Sequence, residues 1–323
     1  MNYIVFDLEW NQSPYGKKQS NKKLPFEIIE IGAVKMNEKK EIEDTFHRII
    51  KPRVYKWIHE CIREVTHFSY KELSKGMPFE QAVQEFLEWC GPEFYFFSWG
   101  DQDVMELQRN MKYYHLLDLL PGPVIYYDVQ KLFGIRFENR KSRRALEYAV
   151  DMLMIPKRKH FHRALEDAEY TAEVLRCIES ENILPNSSID VYQNPKSRKD
   201  EIFIAYPTYD KYVSREFEDR EHMMHDREVT STRCPVCGKN ARRKLRWFLH
   251  NSKNYYSVSV CQEHGLVKGK IRVKKTEEEQ YFSVKTIKLI TEEEALEIRE
   301  KREAVRRKRQ EKKKDEAKKR NAE

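Results

Sequence analysis

The chain contains no apolar run long enough to span a bilayer, which excludes a helical membrane protein and any membrane partner of that kind. Its start, MNYIVFDLEWN, has no basic segment followed by a long apolar stretch, so no secretory signal peptide is expected there. No internal repeat is visible, and the chain is read as a series of distinct segments. Cysteines number six. Three of them, Cys61, Cys90 and Cys177, stand alone in apolar-patterned segments and are expected as buried free thiols. That usage fits a reducing, cytoplasmic setting.

What is present is charge. Charged residues make up 35% of the chain and the mean hydropathy is -0.84, yet 40% hydrophobic and 12% aromatic residues still support a packed core. A length of 323 residues allows one sizeable core plus a small second module. The formal net charge of +8 suits a polyanionic partner, nucleic acid or an anionic surface.

Residues 1–181 alternate strand-like and helix-like patterns. Strands are predicted at 2–9, 27–36, 43–50, 94–98 and 124–127. Helices are predicted at 80–90, 101–113, from 128, at 143–151 and at 163–180. In the first of these helices Ala82, Val83, Phe86 and Leu87 make an apolar stripe. Three strands followed by alternation argue for a mixed sheet with flanking helices, an α/β domain. Residues 182–227 carry Pro185, Asn186 and Asn194-Pro195 and read as a linker with some local structure. Residues 228–290 read as a small basic β module. Residues 291–323 open with a capping box, Thr291 with Glu294, and continue as a basic, highly charged helical tail.

Three segments concentrate acidic groups. In Phe6-Asp7-Leu8-Glu9, strand periodicity turns Asp7 and Glu9 to one face and Ile4, Phe6 and Leu8 to the other. Two converging carboxylates at the end of an apolar strand are costly unless a cation lies between them. In Ser98–Asp103 (SWGDQD), Asp101 suits the N-cap of the following helix and Asp103 suits a metal. In His162–Ala168 (HRALEDA), His162 is expected in a loop and Asp167 in the helix after it. Glu30, which follows an apolar pair in its strand, is given no role.

Taken together these segments resemble the three motifs of the DEDDh branch of the DEDD exonucleases, a DnaQ-like group with polymerase proofreading exonucleases, oligoribonuclease and the Eri-type RNA 3′ exonucleases. The SWGDQD run is most similar to the Eri-type subgroup. The resemblance covers the first ~180 residues and implies an RNase H-like fold. It also implies a 3′→5′ exonuclease that releases nucleoside 5′-monophosphates from single-stranded nucleic acid, RNA favoured over DNA. Asp7, Glu9, Asp103 and Asp167 would hold two Mg²⁺ or Mn²⁺ ions, and His162 would act as general base. Leu8, Trp10, Asn11, Trp99 and Gly100 flank the acidic centre and are candidates for contacting the terminal nucleotide, Trp10 either as a stacking platform or as a core residue.

Cys234-Pro-Val-Cys237-Gly and Cys261-Gln-Glu-His264-Gly pair as C-x2-C and C-x2-H, each closed by a glycine that permits a tight turn. The pattern resembles a zinc ribbon with one structural Zn²⁺ on Cys234, Cys237, Cys261 and His264, His250 being the alternative fourth ligand. A redox C-x-x-C is the competing reading of the first pair. Basic and aromatic residues interleave through this module, which suits nucleic acid; a ribosomal, replication or RNA-processing protein is the other partner it could serve. A non-catalytic adaptor that keeps the fold is the alternative to an enzyme.

Overall fold

A computed structural model describes residues 1–138, 143–157 and 159–320, with side chains described to Glu311 in the last helix. Residues 321–323 of the expected tail lie outside the described residues. The chain divides into two compact units, Met1–Gln193 and Asn194–Glu323.

The first unit is built on a six-stranded mixed sheet. Its strands are β1 (Asn2–Gln12), β2 (Phe26–Met36), β3 (Ile42–Ile49), β4 (Phe94–Ser98), β5 (Ile125–Asp128) and β6 (Ser188–Ile189), in the order β3-β2-β1-β4-β5-β6. β1, β2 and β3 pair antiparallel, while β4 and β5 run parallel to β1. The helices are α1 (Glu60–Thr66), α2 (Tyr70–Ser74), α3 (Phe79–Cys90), α4 (Gln102–Tyr113), α5 (Val129–Phe137), α6 (Leu146–Met152), α7 (Ala164–Arg176) and α8 (Ser180–Ile183). This is the RNase H-like arrangement of a central mixed sheet with helices on both faces.

Because β1 is covered on both sides, its alternation reads as two apolar sets rather than one. Ile4, Phe6 and Leu8 pack with Phe86 of α3 and Val104 and Leu107 of α4. Tyr3 and Val5 face the other way, onto Phe133 of α5, Val150 of α6 and Ala168 and Ala172 of α7. Such two-sided burial is the usual condition of a strand inside a parallel or mixed sheet.

The second unit is a six-stranded antiparallel sheet larger than a ribbon. It orders β7 (Ile202–Ala205), β8 (Asp210–Val213), β12 (Tyr281–Leu289), β11 (Gly265–Lys275), β10 (Asn254–Cys261) and β9 (Arg242–Leu249). Helices α9 (Arg220–His225) and α10 (Arg227–Thr230) place Met223 and Val229 against Ile271 and Val273. Helix α11 (Glu292–Arg320) starts at the expected capping box, with Glu294 N–H donating to Thr291 Oγ1 and Thr291 N–H to Glu294. Its first turns bury Ala295 and Ile298 against Leu245 and Val258.

Two expectations are corrected here. Residues 182–227 are not a linker: α8 and β6 complete the first unit, while β7, β8, α9 and the start of α10 belong to the second. The reason is that short strands such as Ile202–Ala205 gain their stability by adding to an existing sheet, which local turn signals do not reveal. Of the three isolated cysteines only Cys90 is buried; Cys61, on the short α1, and Cys177, capping α7, are exposed.

Candidate active site

The pairing of β1 creates the site. Its parallel contact with β4 ends at Val5↔Phe97, but β1 continues to Gln12. Past Val5 that edge of the strand no longer pairs with β4, at the carboxyl ends of the parallel strands where α/β sheets form their crevices. The first turn of α4 enters there. Leu8 N–H donates to Asp103 Oδ1 at 3.3 Å, which brings a carboxylate from β4's following helix beside Asp7 and Glu9. A helix N-terminus favours such an anion.

Helix α7 brings the rest, and it can do so because of Gly32, directly opposite Asp7 on β2. A Cβ at Gly32 would lie 2.0 Å from Leu165 N, so the first turn of α7 rests on bare backbone. Asp167 then accepts the His162 backbone N–H at 3.0 Å. His162 holds a left-handed φ of 69°, a conformation a non-glycine residue adopts at a cost of roughly 1 kcal/mol. One ligand atom each of Glu9, His162 and Asp167 lie within 4.8 Å of one another.

These like charges perturb each other strongly. Burial, then the neighbouring Asp103, Glu9 and Asp167 carboxylates, hold Asp7 well above the ordinary range. Burial and the Asp167, Glu30 and Asp103 charges push Glu9 up to about 8. Burial pushes Asp103 to about 7 against the opposing Leu8 amide, and Asp167 to about 7 against the His162 amide. Asp167 Oδ1 is buried with no hydrogen-bond partner among the described residues. Hard oxygens that repel one another, one of them without a donor, are the chemistry a divalent cation relieves.

Glu30 is a functional residue that sequence reasoning missed. It lies opposite Glu9 on β2 and is fully buried. It accepts hydrogen bonds from Arg163 Nε and Nη2, Ala164 N–H and His47 Nε2. Burial alone would raise its pKa; those donors outweigh it and hold Glu30 below its ordinary value. The residue therefore clamps the N-terminus of α7 to the sheet. Its partners lie up to 134 positions away, so no local signal marks it.

Other expected residues fall differently. Leu8 buries its side chain in the core and offers only its amide, to Asp103. Asn11 is fully buried, with its amide donating to the carbonyls of Tyr55 and Trp57 and accepting from His59 N–H. It ties down the segment that follows β3, and both amide hydrogens are used there. Trp10 is half-buried against the core, 6.0 Å from the Phe26 ring, beside a register shift between Glu9 and Trp10. Trp99 donates to Arg144 O, and Gly100, at φ 108°, makes the turn into α4. Asp101 occupies the N-cap of α4 without a capping bond; its carboxylate pairs instead with Arg143 at 3.2 Å. An exposed stack of Trp57 on Tyr70, rings 5.8 Å apart, was not anticipated.

The second unit gathers Cys234, Cys237, Cys261 and His264, one ligand atom of each within 4.8 Å of the others. Cys237 Sγ and Cys261 Sγ are 3.7 Å apart, as are Cys261 Sγ and His264 Nδ1. Ligands of a tetrahedral zinc ion stand roughly 3.5–3.8 Å apart, so the set fits one. His264, through the hydrogen bond between them, lowers the Cys261 thiol to about 6. Gly238 and Gly265 take left-handed φ values of 69° and 82°, closing the two knuckles as expected. His250 is not part of this group. A redox pair would need only the first two cysteines, and the convergence of Cys261 and His264 on them fits a metal instead.

Comparison with known proteins agrees with the first unit. Two DNA polymerase III PolC-type proteins are similar. The one from Clostridium perfringens (strain 13 / Type A) is 30% identical over 177 residues, 54% of this chain and 11% of that protein. The one from Caldanaerobacter subterraneus subsp. tengcongensis is 25% identical over 271 residues, 83% of this chain and 17% of that protein. The chain thus spans less than a fifth of the length of these relatives. Among solved structures, the nuclease domain of 3′hExo, a DEDDh family member bound to rAMP, aligns over 55% of this chain and 90% of its own, at 18% identity and a TM-score of 0.47. Cell-death related nuclease 4 aligns over 63% of this chain and 68% of its own, at 16% identity and a TM-score of 0.48. Residues 4–175, which include Asp7, Glu9, Asp103, His162 and Asp167, match the RNase T exonuclease model, and the chain belongs to that exonuclease family.

Proposed function

We propose that the protein is a metal-dependent 3′→5′ exonuclease that hydrolyses single-stranded nucleic acid, RNA in preference to DNA, to nucleoside 5′-monophosphates. The observation that carries this reading is the convergence of Asp7, Glu9, Asp103 and Asp167, each raised by burial or by its neighbours, beside an exposed imidazole. Two Mg²⁺ or Mn²⁺ ions on these four carboxylates would activate the attacking water and neutralise the leaving oxygen.

The chain's own groups supply the rest. His162 is exposed, so water reaches it, and its backbone is tied to Asp167. Its ring nitrogen takes the water proton. The water oxygen then bonds to phosphorus as the P–O3′ bond breaks, and the departing O3′ takes a proton from solvent to become the 3′-hydroxyl of the shortened strand. Trp10, Trp99 and Gly100 border the carboxylates and shape the terminal-nucleotide pocket; the Trp57–Tyr70 stack offers a further aromatic surface. In the second unit, one Zn²⁺ on Cys234, Cys237, Cys261 and His264 would close that end of the sheet. The preference for RNA rests on the Eri-like SWGDQD run, and the reduced cysteines suit a cytoplasmic setting.

The test is degradation of matched 5′-labelled single-stranded RNA and DNA with Mg²⁺ or Mn²⁺, with Asp7→Ala as control. A ladder shortening from the 3′ end, absent in the control, is expected. No cleavage of either strand with either metal would overturn the reading.

A further inference from the structure

Sequence reasoning assigned residues 220–227 to a linker, but in the second unit they form one wall of a groove. Helix α9 supplies Arg220 and Met224, and β9 and β10 supply Arg243, Arg246, Trp247 and Tyr255 around a cavity of 560 Å³. β9 is the edge strand of its sheet.

Three features make this groove a built site. First, Arg243 and Arg246 are exposed, and neither has a carboxylate partner among the described residues. Two other arginines of this unit do have such partners: Arg215 pairs with Glu201 and Asp226, and Arg233 with Glu228. Glu221 is the single acidic residue on the groove wall, against three arginines. Second, Trp247 is locked in place. Its indole N–H donates to Thr230 O at 2.8 Å, and its ring lies across Gly269, where a Cβ would sit 2.4 Å from the indole. Third, Tyr255 on the neighbouring strand is half-buried, and its ring has no aromatic partner among the described residues. Unpaired guanidinium groups seek phosphate, and a fixed aromatic wall seeks a planar ring. The combination is what a single-stranded nucleic acid offers at every nucleotide.

We propose that the groove between α9 and the edge strand β9 is a second binding site for single-stranded nucleic acid, with Arg220, Arg243 and Arg246 on the phosphates and Tyr255 beside Trp247 stacking on bases. This rests on the exonuclease reading only for the choice of polyanion; the site itself stands on the second unit. It gives the enzyme a hold on the strand that is separate from the carboxylates, so long substrates gain and very short ones do not.

The test uses the full-length chain in the Asp7→Asn background, so that strands stay intact while binding is measured. Anisotropy of fluorescein-labelled 30-nucleotide RNA and DNA is compared for that protein, for Arg243→Glu/Arg246→Glu, and for a control reversal of two exposed tail residues, Lys308→Glu/Arg309→Glu. The groove variant should bind at least one 30-mer about 10-fold more weakly, with its salt dependence reduced by roughly 1.4 in the log–log slope. The tail control should fall by less. With Asp7 restored, the groove variant should still degrade a 5-nucleotide oligomer at the normal rate. Unchanged affinity for both 30-mers, or an equal fall in the tail control, overturns the groove. Circular dichroism and zinc content matching the parent exclude misfolding. Intact 30-mer binding that drops in the groove variant, with no cleavage of any strand by the Asp7-containing protein, would sink the exonuclease reading while leaving the groove standing.

Discussion

The two units each gather four ligand-type side chains, but they hold them in opposite ways. In the second unit the thiol and imidazole groups sit in two tight knuckles, one hairpin turn apiece, and Cys234 and Cys261 pack among Val267 and Ile287. In the first unit the carboxylates come from β1, α4 and α7, and they meet only because β1 outruns β4 and α7 rests on Gly32. Soft ligands closed around one point favour a permanent structural ion. Hard ligands spread along a crevice, with Asp167 Oδ1 left unpartnered, favour ions that share their coordination with a substrate. The contrast teaches that ligand count alone does not separate a structural from a catalytic site; the way the scaffold closes around it does.

The largest effect should come from breaking one side at a time. Asp103→Asn should lower exonuclease activity by about 10³-fold, the equivalent of roughly 4 kcal/mol, while zinc content stays unchanged. Cys261→Ser should do the reverse: zinc is lost, and the second unit loses several kcal/mol of stability. Cleavage of a 5-nucleotide oligomer should then stay within about twofold. Equal loss of short-oligomer cleavage in the cysteine variant would contradict the separation of roles.

Next comes the scaffold that makes the acidic site non-local. Gly32→Ala drives a methyl group into the α7 backbone and should destabilise the first unit by about 3 kcal/mol, seen as a lower urea midpoint. An alanine variant as stable as the parent would show that α7 does not need that close approach.

A third measurement uses pH. Unfolded carboxylates titrate near ~4, whereas Glu9 is at about 8 and Asp103 and Asp167 at about 7 in the folded chain. The folded state therefore holds more protons than the unfolded one between these limits, and stability present below pH ~4 is lost as pH rises through 7–8. In magnesium-free buffer the melting temperature of the first unit should fall from pH 5 to pH 8, and Mg²⁺ or Mn²⁺ should restore it more at pH 8. A flat metal-free profile would sink this account.

The smallest effect tests the structural role of Asn11. Asn11→Ala leaves the Tyr55 and Trp57 carbonyls and the His59 amide without their partner, a cost of about 2 kcal/mol. Affinity for a mononucleotide product should be unchanged in calorimetry; a large drop would restore Asn11 as a substrate ligand.

Much of the first unit was legible because its signals are short-range. The apolar run before Asp7 and the period-two pairing of Asp7 with Glu9 each depend on a few neighbouring residues, as does the capping box at Thr291 in the second unit. The glycines after each metal pair were legible for the same reason, since a knuckle turn is a local backbone event. What escaped was set by distant partners. β6 to β8 were hidden in an apparent linker because strands of two or four residues take their order from the sheets they join. Cys61 and Cys177 looked core-like from apolar neighbours, but their own helical positions face solvent.

Glu9 and Glu30 state the limit most directly. They are the same residue type, directly opposite each other across β1 and β2. The sequence by itself determined that both lie in strands and that Glu9 shares a face with Asp7. Only the tertiary structure decided that Glu30 meets Arg163, His47 and the Ala164 amide and stays ionised, while Glu9 meets other carboxylates and is driven to about 8. A carboxylate's charge state depends on the donors and charges within a few ångströms, and here some of those, such as Arg163 for Glu30 and Asp167 for Glu9, come from residues more than a hundred positions away.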